Sequence, residues 1–143
     1  MGKLRDDLKR GKQAERQVHR ILETKFGKLI HDPNQFANFD FYNERFSVEH
    51  KDRNINHDQY GDLYMERAKY DKYLKLRERG IRCFIVWSCL DGKYVWEFED
   101  QFRGDDAVFV DRVEHIDRGT HIQSSVVTHV ECAYMKKFDA LVI

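Results

Sequence analysis

A chain of 143 residues, 41% of them hydrophobic, is long enough to bury a core, and its single proline and lack of any membrane-length apolar run exclude a collagenous or helical membrane-spanning chain. Lysine and arginine (25) balance aspartate and glutamate (25), so the formal net charge is zero and supplies no overall pull on a polyanion. The three cysteines, Cys83, Cys89 and Cys132, lack paired ligand spacing and no His-Glu-x-x-His occurs among the seven histidines, which argues against a zinc hydrolase and a disulfide scaffold. We expect one domain over residues 1–143 without signal peptide or repeats, its thiols reduced in a cytoplasmic or nuclear compartment.

From Gly11 to Phe26 the apolar residues Ala14, Val18, Ile21, Leu22 and Phe26 follow the i, i+3, i+4 spacing of an amphipathic helix. Glu15 falls inside that stripe, between the directions of Ala14 and Phe26. A carboxylate among core-facing residues needs a partner, unless it snorkels to solvent at the stripe's edge. His19, one turn later, borders the same face and reads most simply as a surface imidazole.

Phe39-Asp40-Phe41 and Phe46-Ser47-Val48-Glu49-His50-Lys51 both alternate apolar and polar with a period of two, as half-buried strands do. Tyr42-Asn43-Glu44-Arg45 fits a tight turn between them. With Asn43 and Glu44 as a two-residue loop, Asp40 lies opposite Ser47 and Glu49 is its diagonal neighbour on the same face, joined by Lys51. Phe39, Phe41, Phe46, Val48 and His50 then point the other way, into a core. Two carboxylates and an ammonium on one patch of sheet are costly unless a cation sits between the acids; a solvated strand face with an incidental ion pair is the plain alternative. A second Glu-x-Lys, Glu23-Thr24-Lys25, falls in the helical stretch, where residues two apart project to nearly opposite sides and cannot share a ligand.

Asn54 to Gly61 is polar and reads as a loop beside this hairpin. A second helix is predicted from about Leu63 to Arg79, ended by Gly80, with Leu63, Tyr70, Tyr73 and Leu74 on its buried side and Glu66 and Lys69 on the same broad face, where they could form a simple ion pair. Arg82 to Ser88 is β-branched and aromatic, which suits a central strand covered on both faces. Lys93 to Phe98 alternates after an Asp91-Gly92 turn and should pair with it as a hairpin. Further strands are expected at Ala107–Val110 and Ser125–Glu131, with a final helical turn near Lys136.

Asp40 followed by Glu49-His50-Lys51 resembles the motif of the PD-(D/E)xK phosphodiesterases, the superfamily of restriction endonucleases and Holliday-junction resolvases, and the resemblance spans roughly residues 9 to 98. It implies an α/β fold with a restriction endonuclease-like core of helix, three strands, helix and strand: a central mixed sheet flanked by helices, with extra C-terminal strands. It also implies Mg2+ or Mn2+, with Asp40, Glu49 and the His50 carbonyl as metal ligands and Lys51 as the charge that orients the attacking water. The Gly11-x-x-x-Glu15 start is similar to the first helix of the resolvase-like branch, which implies Glu15 as a further catalytic and metal-binding carboxylate. Family members take one more polar side chain from the second helix region, a role open to Lys69 or Gln59. Phe39 in place of proline and His50 in place of an aliphatic residue are departures from the pattern.

The resemblance implies a nuclease, with DNA favoured over RNA as partner, no membrane, and an endonuclease of phage, viral or resolvase-like type that could work as a homodimer. Lys12, Arg53, Gln59 and Lys69 are the candidates for contacting nucleic acid. Charge is unevenly spread: residues 1–20 hold seven basic and three acidic side chains, residues 66–82 seven and three, and residues 97–117 two and eight. Neutrality overall therefore leaves room for basic helices beside the site, although charge runs are also ordinary solvated faces. The reading from another class is a catalytically inactive nuclease-fold module that binds nucleic acid or a protein.

Overall fold

The computed structural model describes residues 2–34, 39–100, 110–115 and 122–143, and side chains over 13–34, 39–99 and 127–143. It is a mixed α/β structure whose central sheet is covered by a helix on each face. Helix α1 (Gly2–Phe26) leads into the short strands β1 (Ile30–His31) and β2 (Phe41–Tyr42) and the long strand β3 (Phe46–Asp52). Strand β4 (Asp62–Glu66) then runs directly into α2 (Arg67–Glu78), followed by β5 (Arg82–Cys89) and β6 (Gly92–Glu97). Strands β7 (Val110–His115), β8 (Ile122–Glu131) and β9 (Lys136–Lys137) complete the described elements. No helix among the described residues is long and apolar enough to cross a membrane.

The main sheet has the order β1-β2-β3-β5-β6-β9, antiparallel except for the parallel β3–β5 pair at its centre. Alternation on β3 and β5 divides the interior in two. Leu22 and Phe26 of α1 pack with Phe41, Phe46, Val48, Phe84 and Val86 on one face, whereas Tyr70, Tyr73 and Leu76 of α2 pack with Cys83, Ile85 and Trp87 on the other. Glu49 pairs with Ile85 and Lys51 with Trp87, so both charged side chains emerge on the α2 face. The expected helix, three strands, helix, strand order is present, with β4 inserted before α2.

Several expectations need correction. The α1 stripe is buried only from its C-terminal half: Leu22 and Phe26 are buried and Val18 and Ile21 half-buried, but Ala14 and Glu15 are exposed. Spacing shows which face of a helix is apolar and leaves open where the helix departs from the body. Leu63 belongs to β4, which pairs with β8 in a separate antiparallel sheet, β4-β8-β7. Leu63 and Met65 are buried while Tyr64 and Glu66 are more exposed, a period of two that the following helix had masked. Phe39 packs on the α2 side, opposite to Phe41, because Asp40 is a bend and the alternation breaks there. Lys136 lies in β9, with a 3-10 turn following it at Phe138–Ala140. Of the expected strand at Ala107–Val110, residues 107–109 lie outside the described residues.

The β2–β3 turn is built around one side chain. Asn43 Oδ1 accepts hydrogen bonds from the Arg45 and Phe46 amides, both at 2.8 Å, and its Nδ2 donates to the carbonyls of Phe26 and Lys28, both at 3.0 Å. The first pair closes an Asx-type turn; the second ties that turn to the α1 C-terminus, where Gly27 supplies the positive φ of 75°. The resulting register sets Tyr42 opposite Ser47 and Phe41 opposite Val48, two residues away from that of a two-residue loop. Asp40, at the bend before β2, is thereby brought beside the β3 segment that carries Glu49. Asn43→Ala should therefore lower stability by about 2 kcal/mol in a denaturant titration, since it orphans donors and acceptors on two elements. Asn43→Asp keeps the turn acceptor but places a negative charge at a helix C-terminus, so it should not rescue the loss. An unchanged midpoint for the alanine variant would refute the anchoring role.

Candidate active site

Three short-range facts assemble the site. Asp40 and Glu49 are 8% and 6% exposed, and the Lys51 side chain is 9% exposed. Asp40 Oδ2 accepts the His50 amide hydrogen at 2.9 Å, which fixes this carboxylate across the top of β3. From α2, the fully buried Lys69 brings its Nζ to 3.1 Å from Glu49 Oε2. That oxygen receives no well-directed hydrogen bond, so the contact is a close ion pair that leaves lone-pair capacity open. Glu66, at the end of β4, sets its Oε1 3.8 Å from Lys51 Nζ.

The electrostatics follow from burial. Desolvation pushes the Glu49 carboxyl up from 4.5 to about 7, repulsion from Asp40 adds to the rise, and the ammoniums of Lys69 and Lys51 oppose it. Burial lowers the Lys51 ammonium, against the pull of Glu66 and Glu49. Burial also holds His50 below its usual value, against Asp52 and Asp40. The His50 ring points to the α1 side of the sheet and meets Ser88 Oγ at 2.8 Å.

The remaining candidates are more scattered. Glu15 is exposed on the helix that covers the opposite face of the sheet, so it is no part of the buried carboxylate pair. Lys69, expected among the contacts to nucleic acid, is 1% exposed and has no ammonium surface to offer a phosphate; its charge is spent inside the site. Gln59 is exposed in the 53–61 loop, and half-buried Arg53 donates its backbone amide to the Ser88 carbonyl and its guanidinium to the Asp52 carbonyl. Lys12 lies on α1, and its side chain is outside the described residues. His19 is structural: its Nε2 meets the Leu29 carbonyl at 2.7 Å and its ring packs on Phe41. The Glu66–Lys69 ion pair does not form, because the two residues sit on different elements and take Lys51 and Glu49 as partners.

Two features had not been anticipated. Among the described residues, His57, Asp58 and Asp91 bring ligand-capable atoms within 4.8 Å of one another, a candidate acidic cluster away from the β3 site. Its hydrogen bonds are already satisfied: Asp91 accepts from the His57 amide at 3.0 Å and the His57 ring at 2.6 Å, and that ring stacks on Tyr94 at 3.7 Å. This geometry reads as a latch that ties the 53–61 loop to the β5–β6 turn. The second is a groove of about 930 Å³ between α2 and the β1–β2 region, beginning at Phe39 and Ser47 beside the carboxylates. Lys28, Arg45, Lys72 and Arg79 line it against Glu23, Asp32 and Glu44, a balance close to neutral.

Among solved structures, the Holliday junction resolvase Hjc of the archaeal hyperthermophile Archaeoglobus fulgidus is similar at 13% identity over 73% of this chain and 84% of that one, with a TM-score of 0.37. No protein-family model matches the chain, and no curated protein is similar to it in sequence.

The donor set suits a hard divalent cation. Asp40 and Glu49 are both buried and near enough for Asp40 to raise the Glu49 carboxyl, and among the described residues Glu49 Oε2 is engaged by the Lys69 ammonium alone. The raised Glu49 carboxyl gives a test that needs no activity. Between pH 4.5 and about 7 the folded protein holds a proton at Glu49 that the unfolded chain has released, so this group makes stability fall as pH rises through that window. The full effect is at most about 3 kcal/mol. His50, held low, acts in the opposite sense near its usual value, so the comparison must be with Glu49→Gln, which retains His50. Thermal melts from pH 5 to 8 should show the parent losing stability relative to the variant as pH rises. Parallel curves would contradict the burial-raised carboxyl.

Proposed function

We propose that this protein is a divalent metal-dependent nuclease that hydrolyses phosphodiester bonds in nucleic acid, DNA in preference to RNA, as an endonuclease of phage, viral or resolvase-like type. The observation that carries the reading is the close pair of buried carboxylates, Asp40 and Glu49, with the Lys51 side chain next on the β3 face that carries Glu49. Asp40, Glu49 and the His50 carbonyl would hold Mg2+ or Mn2+. When bound, such an ion supplies Lewis-acid polarisation of a phosphoryl oxygen.

The chain's own groups supply the rest. The His50 amide holds Asp40 in place, so the position of one carboxylate depends on the backbone of β3. Lys51 stands between Glu49 and Glu66, and its lowered pKa makes its proton easier to give up while its charge offsets negative charge developing on phosphate. Arg53, two residues beyond Lys51, and Gln59 in the adjoining loop are the side chains we assign to the nucleic-acid backbone. Exposed Glu15 is left out of the ligand set.

A catalytically inactive binding module is favoured by one observation: Lys69 already neutralises Glu49, as a site with no further use for a cation would allow. Incubation with single-stranded, duplex and branched DNA and with RNA, in Mg2+, Mn2+ or EDTA, separates the two. Cleavage should require the divalent ion, and Lys51→Ala should lower its rate at least ~100-fold. Binding without cleavage under every condition would select the inactive module, and cleavage by Lys51→Ala at the parent rate would remove Lys51 from the chemistry.

A further inference from the structure

Lys69 has no place in the ligand set, yet it is the most deeply buried charge in the site. Its residue is 1% exposed and its Nζ lies 3.1 Å from Glu49 Oε2, the oxygen that has no directed hydrogen bond. Together with Lys51 it offsets Asp40 and Glu49, and half-exposed Glu66 beside Lys51 is the remaining negative charge. An ammonium and a divalent ion drawn to the same carboxylate in a buried site repel each other strongly, because like charges are screened little there.

From this geometry we infer that Lys69 is an internal counter-ion that stands in for the divalent cation at Glu49, and that metal loading displaces its ammonium from Glu49 Oε2. The inference rests on Asp40 and Glu49 being the cation site. Lys69 is thus a positioning residue: it keeps the buried carboxylate paired and the fold intact before loading, and it sets how tightly the ion is held. A helix carries it, so the inferred displacement falls on the four-carbon stem and not on the backbone.

Calorimetric titration with Mn2+ at pH 8 on the full chain tests this, comparing the parent with Lys69→Met, Lys69→Gln and Asp40→Asn. Methionine removes the charge and keeps much of the length; glutamine keeps a hydrogen-bond donor toward Glu49 and serves if the methionine variant does not fold. Both Lys69 variants should bind Mn2+ at least ~10-fold more tightly than the parent, the size of an ordinary coupling between two ligands for one site. Their metal-free melting temperatures should be lower and their gain on adding Mn2+ larger. Equal or weaker Mn2+ affinity in the variants, with Asp40→Asn still weakening the parent, would overturn the inference and leave the nuclease reading standing. Absence of binding in the parent and the Lys69 variants, or binding indifferent to Asp40→Asn, would overturn both.

Discussion

The central position of β3 governs the site. It pairs with β2 on one side and β5 on the other, with α1 and α2 over its two faces, so a charge on its buried stretch, as at Glu49, leaves water. An unpaired buried ion costs several kcal/mol, a large fraction of the stability of a domain this size. Glu49 sits at the middle of that strand, and the neighbouring elements answer it: α2 offers Lys69, β3 itself offers Lys51, and β4 places Glu66 beside Lys51. The exposure of Glu66 on this chain of charges is what joins the buried pair to solvent.

The face shared by Asp40, Glu49 and Lys51 was legible because β3 is a long strand with strict alternation, and a period of two needs no knowledge of the partner strand. Its register was less so. Asn43 lengthens the turn with its own side chain and anchors it to α1, a long-range contact that turn composition cannot reveal. The same limit explains Leu63: its strand partner is Val130, far along the chain, whereas a helix beginning just downstream supplies a compatible local pattern. Glu15 shows the converse: spacing places it in an apolar stripe, and its exposure decides between the two readings that spacing leaves open, a paired carboxylate and one that reaches solvent. The Lys69–Glu49 pair, twenty residues apart on a helix and a strand, left no trace in spacing at all.

Burial also distinguishes the two acidic groupings. His57, Asp58 and Asp91 lie near the surface, where water and mutual hydrogen bonds satisfy them, so their proximity alone says little about a cation. Asp40 and Glu49 are instead shielded from water and answered by the His50 amide and the Lys69 ammonium. Burial pushes the Glu49 carboxyl up to about 7 even with two ammoniums nearby. A proton and the Lys69 ammonium both offset the charge of Glu49, and on the proposed reading a divalent ion would compete with them.

That competition bears on which ion would suit the site. Mg2+ gives up its water reluctantly and demands near-ideal octahedral geometry, whereas Mn2+ binds nitrogen and oxygen donors with less penalty for an irregular shell. Here one carboxylate is tied down by the His50 amide and the other is engaged by Lys69, so the donors are rigid on one side and contested on the other. An ion that tolerates imperfect geometry would be better matched to such a pair, which on the proposed reading would favour Mn2+ over Mg2+ in binding. On the proposed reading the distinction would matter less with a phosphate bound, because its oxygens would add to the donors that Asp40 and Glu49 offer.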